Sequence, residues 1–459
     1  MGMNSPLSDR TYRNLFAAQV IALAGTGLST IALALLAFDL ARGDAGLVLG
    51  TALAIKMIAY VGIAPVIGGF AHRLPRKALL ISLDVARAGA VACFPFVSEI
   101  WHVYLLIFLL NACSAGFTPT FQATIPDVLK DEARYTRALS LSRLAYDLEN
   151  LLSPSLAAAA LLFFSYDALF TVNAIAFLTS ALLITLIKLP ALRPHERERG
   201  IWHNLTFGVR VYLKTPRLRG LLALSLAVAA AGSMVIVNTV VYVRDYLGGT
   251  ESDMALAFVA TGFGSMCVAL ILPRLLDKYP DRPFMIAGGI LLGSGLFLGL
   301  SMPEILGLFP IWLLLGAGSS LIQTPAGRLL NRSVHEGDRS ALFAAQFALS
   351  HVCWLFCYPL AGWLGNSFGL FAAFAILAVI SLAATIVAVF LWPRNEMSEL
   401  EHFHEALEHE HLHTHDEHHK HEHEGWDPQE PHTHPHSHSS LKHKHPFVID
   451  LHHQIWPAR

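Results

Sequence analysis

Apolar stretches of membrane-spanning length recur from end to end of the first 392 positions. They fall near 14–38, 46–70, 78–98, 101–125, 140–164, 168–189, 220–243, 254–272, 284–302, 305–326, 340–364 and 367–392. A helix needs about 20 apolar residues to cross the hydrocarbon core of a bilayer, so each stretch is one crossing. In lipid every backbone polar group must be paired within the structure, which leaves helices or closed barrels. The runs are too long and continuous for the alternating strands, about ten residues each, of a barrel. The expected fold is therefore an all-α polytopic membrane protein with twelve transmembrane helices. The chain is 54% hydrophobic and 14% charged, with mean hydropathy +0.50, which leaves too little charged surface to coat a soluble body. Nucleic acid is excluded as a partner on the same ground, and the lipid bilayer is the first partner implied.

The opening MGMNSPLSDRTYRNLF lacks a basic region followed by a small-residue cleavage site, so the first apolar run is expected to stay as a helix. Cys93, Cys113, Cys267, Cys353 and Cys357 all lie in apolar segments and read as small buried hydrophobes, without the loop spacing of a disulfide framework.

The longest connection, 191–219, divides the chain into an N-terminal six-helix half at 1–190 and a C-terminal half at 220–393, with a tail at 394–459. Loops at 71–77, 126–139, 190–219, 273–283 and 327–339 carry 19 Lys and Arg, whereas the alternate loops carry only Arg42 and Arg244. The positive-inside rule then puts the linker, the tail and both termini in the cytoplasm of a bacterial inner membrane. The halves also repeat. GGFAHRLPRKALLI stands between helices two and three, and LPRLLDKYPDRPFMI stands between eight and nine. Thr118-Pro119 matches Thr324-Pro325, and Pro154 matches Pro359, at nearly one offset. Two equivalent halves are the arrangement that allows rocking about a central site.

GGFAHRLPRK resembles the signature loop of the major facilitator superfamily, Gly-x-Leu-Ala-Asp-Arg-x-Gly-Arg-Lys. Gly68, Arg73, Arg76 and Lys77 match it, while His72 stands at the Asp position and Pro75 at the second Gly. Asp277 and Lys278 keep an acid-base pair in the second half. The resemblance implies a gating loop that closes the cytoplasmic face through carboxylate and arginine contacts. Within that superfamily, a histidine-rich tail after the last helix is similar to the bacterial nickel-resistance exporters, whose relatives include siderophore and macrolide exporters.

Ionisable side chains at membrane depth are functional candidates by default. Asp84 and Arg87 share a face of helix three, as a buried pair or a transport element. In helix five, RLAYDLENLLSP holds Asp147, Glu149 and Asn150. At 3.6 residues per turn Asp147 and Asn150 face alike and Glu149 is turned away, so Asp147 with Asn150 is expected to face the cavity, unless Arg143 one turn earlier takes Asp147. His351 in helix eleven stands opposite Tyr146 of the first half and is either a ligand or proton carrier or a histidine held by a backbone carbonyl. Cys353 and Cys357 lie one turn apart. The resemblance also implies cavity-lining positions for Asn111, Gln122, Asn238, Gln323 and Arg328. Lys56, mid-helix, calls for a carboxylate partner such as Asp39.

Of the 24 histidines, 18 lie between His402 and His453. The first burst contains His402, His404, His409, His411, His413, His415, His418, His419, His421 and His423, and the second His432, His434, His436, His438, His443 and His445. Neutral imidazoles among carboxylates suit Ni²⁺, Co²⁺ and Zn²⁺, and a segment this polar cannot build a core. A disordered, multidentate metal-binding tail is expected. The expected function is secondary active export of a divalent transition metal, Ni²⁺ foremost, by proton antiport and alternating access. Metal and protons would be cargo, no resident cofactor is required, no catalysis is implied, and the monomer is the working unit. The competing expectation is an exporter of a siderophore or drug-like compound with a metal-responsive tail.

Overall fold

The long apolar runs fold as helices whose ends are fixed by local chemistry. Asp131 caps one helix by accepting from the Arg134 backbone N–H, and Thr250 and Asp253 close a reciprocal capping box at another, each satisfying otherwise orphaned donors. The computed structural model describes residues 5–41, 45–71, 74–190, 201–394, 400–404, 407–413, 432–438, 441–445, 448–449 and 456. In chain order the first half contains α1 (Arg10–Ala41), α2 (Ala45–Phe70), α3 (Arg76–Ala92), α4 (Ile100–Val128), α5 (Glu132–Leu161) and α6 (Tyr166–Thr185). After α7 (Ile201–Lys214) the second half contains α8 (Pro216–Val240), α9 (Glu251–Leu276), α10 (Asp281–Leu298), α11 (Ile305–Asn331) and α12 (Arg339–Leu391).

Among the described residues ten helices are long and apolar enough to cross a membrane. The last of them, α12, makes two crossings, because Gly369 adopts φ 82° and ψ 167° inside it, a conformation open essentially to glycine alone. At 30 residues α5 is also long enough to cross, but Arg137, Arg143, Asp147 and Glu149 interrupt its apolar run. The twelve expected crossings are therefore present, in two halves.

Thr118-Pro119 and Thr324-Pro325 lie inside α4 and α11, within the runs expected at 101–125 and 305–326. One boundary differs from expectation. The linker is not merely a connection, since α7 occupies its second part. The reason is packing: a Cβ added at Gly69 on α2 would lie 2.9 Å from the Asn204 carbonyl oxygen, and one at Gly208 would lie 2.2 Å from that of Ala341 on α12. With glycine at both places, α7 fits between the first half and the second.

The tail also departs from the expectation of a wholly irregular segment. Strands β1 (Leu400–His404), β2 (Leu407–His413), β3 (His432–His438) and β4 (Leu441–His445) pair antiparallel, β1 with β4 and β2 with β3. Histidine at every second residue has the period of a strand. The register sets His402 opposite His443, His409 opposite His436, His411 opposite His434, and His413 opposite His432. Of the other tail histidines named above, His415, His418, His419, His421 and His423 lie outside the described residues.

Candidate functional site

Charge concentrates where the halves meet. The N-terminal turns of α5 and the C-terminal turns of α4, α9 and α11 form one end of the bundle, the end that carries the basic loops. Arg76 at the start of α3 pairs with Asp127 at the end of α4, and Asp127 also pairs with Arg339 at the start of α12 in the other half. Asp281 at the start of α10 accepts from Arg332 Nη1 at 3.0 Å, and Arg332 Nε lies 2.6 Å from Glu132 at the start of α5. These two triads are related by the repeat. An offset of about 205 carries Arg76 onto Asp281 and Asp127 onto Arg332 with both signs reversed. In each triad the middle residue reaches the first turn of the other half's fifth helix. Arg328 adds contacts to Glu132 at 2.8 Å and Asp281 at 3.4 Å and donates to the Leu276 carbonyl at 3.0 Å.

Further along α5 the contacts with the second half continue. Arg137 Nη2 lies 3.3 Å from Asp277. Arg143 donates to Ser265 Oγ at 3.0 Å and Gln323 Oε1 at 3.1 Å, and pairs with Asp147 at 3.0 Å. Ser265 donates in turn to Asp147 Oδ2 at 2.6 Å. Asp147 is 6% exposed, and the pair with Arg143 allowed for in the sequence is the one observed: Arg143 and Ser265 hold it between α5 and α9. The Asn150 side chain lies outside the described part of the structure.

Glu149 points the other way. A Cβ added at Gly27 on α1 would lie 3.0 Å from Glu149 Oε1 and 1.8 Å from Ser153 Oγ, so the carboxylate sits against α1 where only glycine leaves room. Lys56 on α2 is the basic group whose charge acts on both Glu149 and His351. Its Nζ lies 5.6 Å from the Tyr60 ring centroid, and Tyr60 meets the His351 ring edge-on at 4.8 Å. Asp39, the partner expected for Lys56, instead accepts from the Tyr166 hydroxyl at 2.7 Å. His351 Nδ1 lies 2.6 Å from the Phe347 carbonyl oxygen. If Nδ1 carries the proton, Nε2 keeps a lone pair for a cation or proton. Tyr146, opposite His351 by the repeat, hydrogen-bonds Gln19 on α1. Lys56, Tyr60, Glu149 and His351 are each only partly buried and lie midway along their helices.

The remaining candidates lie away from this group. Asp84 is fully buried. It pairs with Arg87 and accepts from Ser180 Oγ on α6 at 2.8 Å, while Arg87 is sandwiched between Phe117 at 3.9 Å and Phe177 at 4.4 Å. This pair ties α3 to α4 and α6, away from the second half. Asn111 donates to the Ile107 carbonyl within α4 at 2.8 Å, and Asn238 donates to the Ala361 carbonyl at 3.1 Å, joining α8 to α12. Gln122 is half-buried on α4. Cys353 and Cys357 are buried in the apolar core of the second half.

In the signature loop, a Cβ at Gly68 would lie 2.4 Å from the Ala344 Cβ of the other half. Lys77 donates to the Thr185 and Ile187 carbonyls, both at 2.8 Å, closing the C-terminus of α6. Lys278 is exposed. His72 and Arg73 lie outside the described residues. Glu132, Asp127, Asp281, Arg332 and Arg339 escaped the sequence reading. The repeat offset that aligned the prolines would have found the sign-reversed pairs among them. Among the described residues no group of three or more His, Cys, Asp or Glu is arranged to hold a metal.

The family model described as the Major Facilitator Superfamily matches residues 15–238 and 221–428. An uncharacterized MFS-type transporter, YfiS, of Bacillus subtilis (strain 168) is 23% identical over 403 residues, covering 84% of this chain and 95% of that protein. Macrolide efflux protein A of Streptococcus pyogenes is 21% identical over 306 residues, 65% of this chain and 73% of that one. Among solved structures, a bacterial homologue of the iron transporter ferroportin in an outward-facing state superposes with TM-score 0.68 at 16% identity, covering 83% of this chain and 98% of that one.

Proposed function

The chain belongs to the Major Facilitator Superfamily, and on that premise we propose that it is a secondary active exporter of a divalent transition-metal ion, Ni²⁺ before Co²⁺ or Zn²⁺, driven by proton antiport. The observation that carries the reading is the histidine tract, whose cross-strand histidines sit at directly opposite register positions on a segment joined to the basic end of the bundle. Imidazole is the ligand type suited to these ions. In this reading the basic end is cytoplasmic, the tract gathers metal there, and the ion pairs along α5 part to admit it. Glu149 and His351, with Lys56 and Tyr60 between them, then form the central station. A carboxylate and an imidazole can each trade a cation for a proton as the halves rock.

A second reading, export of an organic cation, is favoured by the aromatic character of the same station, where Tyr60 and Phe347 flank His351 at ring distances of 4.8 and 4.2 Å. The macrolide efflux for which the streptococcal relative is named points the same way. Cellular metal content separates the two. Cells producing the protein in Ni²⁺-containing medium should hold less nickel than cells without it, and deletion of 400–459 should weaken that difference while leaving part of it. Equal nickel content in both strains, with the protein inserted, would favour the organic reading.

A further inference from the structure

Lys56 stands midway along α2, and an ammonium at that depth needs an anion or water beside it. Among the described residues it makes no hydrogen bond and no ion pair. Its neighbour is the ring of Tyr60, one turn on, with Nζ 5.6 Å from the centroid. Glu149 likewise makes no hydrogen bond or ion pair with a described residue, although the Lys56 charge reaches it. The other two carboxylates at this depth differ. Asp84 is closed by Arg87 and Asp147 by Arg143, each on its own helix. At the station the two opposite charges come from different helices and stay apart.

The surroundings of Lys56 belong to both halves. Tyr60 meets Phe347 edge-on at 4.9 Å and His351 at 4.8 Å, so these rings join α2 of the first half to α12 of the second. The ammonium therefore lies one helical turn from the line where the halves part, half-buried and uncommitted.

Charge then decides what the station takes. A bare divalent ion at Glu149 and His351 has a like-charged ammonium as its neighbour, which weakens its binding. First-row ions in nitrogen–oxygen sites take roughly four or more ligands, and one carboxylate with one imidazole supplies fewer. A cargo that brings its own carboxylates meets both needs. We propose that Lys56 is the anion-recognising group of the station, and that the preferred cargo is a divalent ion already held by a small carboxylate chelator. A chelator carboxylate pairs with the Lys56 ammonium, while Glu149 and His351 take coordination positions that the chelator leaves open. Recognition of the carboxylate follows from Lys56 alone; the metal at its centre rests on the function proposed above.

Uptake into inverted vesicles carrying the full chain tests this with two nickel complexes of opposite character. Iminodiacetate supplies two carboxylates and gives a neutral complex; diethylenetriamine supplies only amines and leaves the complex doubly positive. With both nickel and iminodiacetate radiolabelled, the two labels should accumulate together. The half-saturating concentration should be lower for the iminodiacetate complex than for the diethylenetriamine complex by roughly tenfold or more, the scale of one charge-assisted hydrogen bond. Lys56→Met should erase that preference and Lys56→Arg should keep it, with Lys56→Gln as a second neutral variant where Met does not insert. Equal half-saturation of the two complexes in the wild type, or a preference that survives in the neutral variants, would overturn the proposal. Should nickel enter in no form, the metal reading falls, and metal-free iminodiacetate then decides the anion site. A melting temperature raised by it in the wild type and Lys56→Arg, but not in Lys56→Met, keeps the site; the same response in all three removes it.

Discussion

Asp84 and Glu149 are both carboxylates at membrane depth, yet their neighbours give them different work. Asp84 is enclosed with Arg87, Ser180 and two phenylalanine rings, so removing one charge strands the other in a dry interior. Asp84→Asn or Arg87→Ala should destabilise the first half by about 3 kcal/mol or more, seen as a lower yield of folded protein and a lower melting temperature. Glu149 is half-buried beside a glycine, with an ammonium rather than a guanidinium as its charged neighbour. Glu149→Gln should fold normally, lose most transport driven by a proton gradient, and show flux nearly flat with pH. Undiminished, pH-dependent flux from that variant would remove Glu149 from the pathway. The sequence already put Glu149 on the opposite side of α5 from Asp147, because helical spacing fixes that angle. It could not say which side faced the other half, since Ser265, Gln323 and Gly27 come from distant helices. Arg143 taking Asp147 was legible from their four-residue separation alone.

Among the elements, α5 and α7 decide how the halves meet. Every turn of α5 from Glu132 to Asp147 offers a charge to the second half, which explains why this helix is less apolar than its neighbours. The sign-reversed triads have a consequence for pairing. Asp127→Asn removes the carboxylate that Arg76 and Arg339 share and leaves Arg339 only the longer 3.8 Å pair with Glu336, whereas Glu132→Gln leaves Arg332 still paired with Asp281 at 3.0 Å. Asp127→Asn should therefore open the basic end more readily, measured as faster labelling of a cysteine introduced at Gln323. Equal labelling rates in the two variants would contradict the difference between the triads. The helix α7 was not legible as a separate element, because the linker's charges masked an amphipathic face that becomes useful only against Gly69 and Ala341. Gly208→Val should keep α7 from seating and shift the same labelling assay toward the open state.

At the scale of the whole molecule, twelve crossings, two halves and their repeat were readable from hydrophobic run length and one recurring offset, because lipid leaves the backbone so few choices. The tail was only half readable. Its histidines raise the expectation of metal ligands, but the return of Val448, Ile449 and Trp456 to the bundle depends on a docking surface formed by helices more than 200 residues earlier. In the proposed function this transporter exchanges a divalent metal ion for protons. Inverted membrane vesicles, loaded acidic inside and supplied with Ni²⁺ outside, test it most directly. The predicted result is Ni²⁺ accumulation that grows with the imposed gradient, stops when the gradient is collapsed, and is largely lost in Glu149→Gln. Accumulation no greater than in vesicles lacking the protein, at any gradient, would contradict the claim.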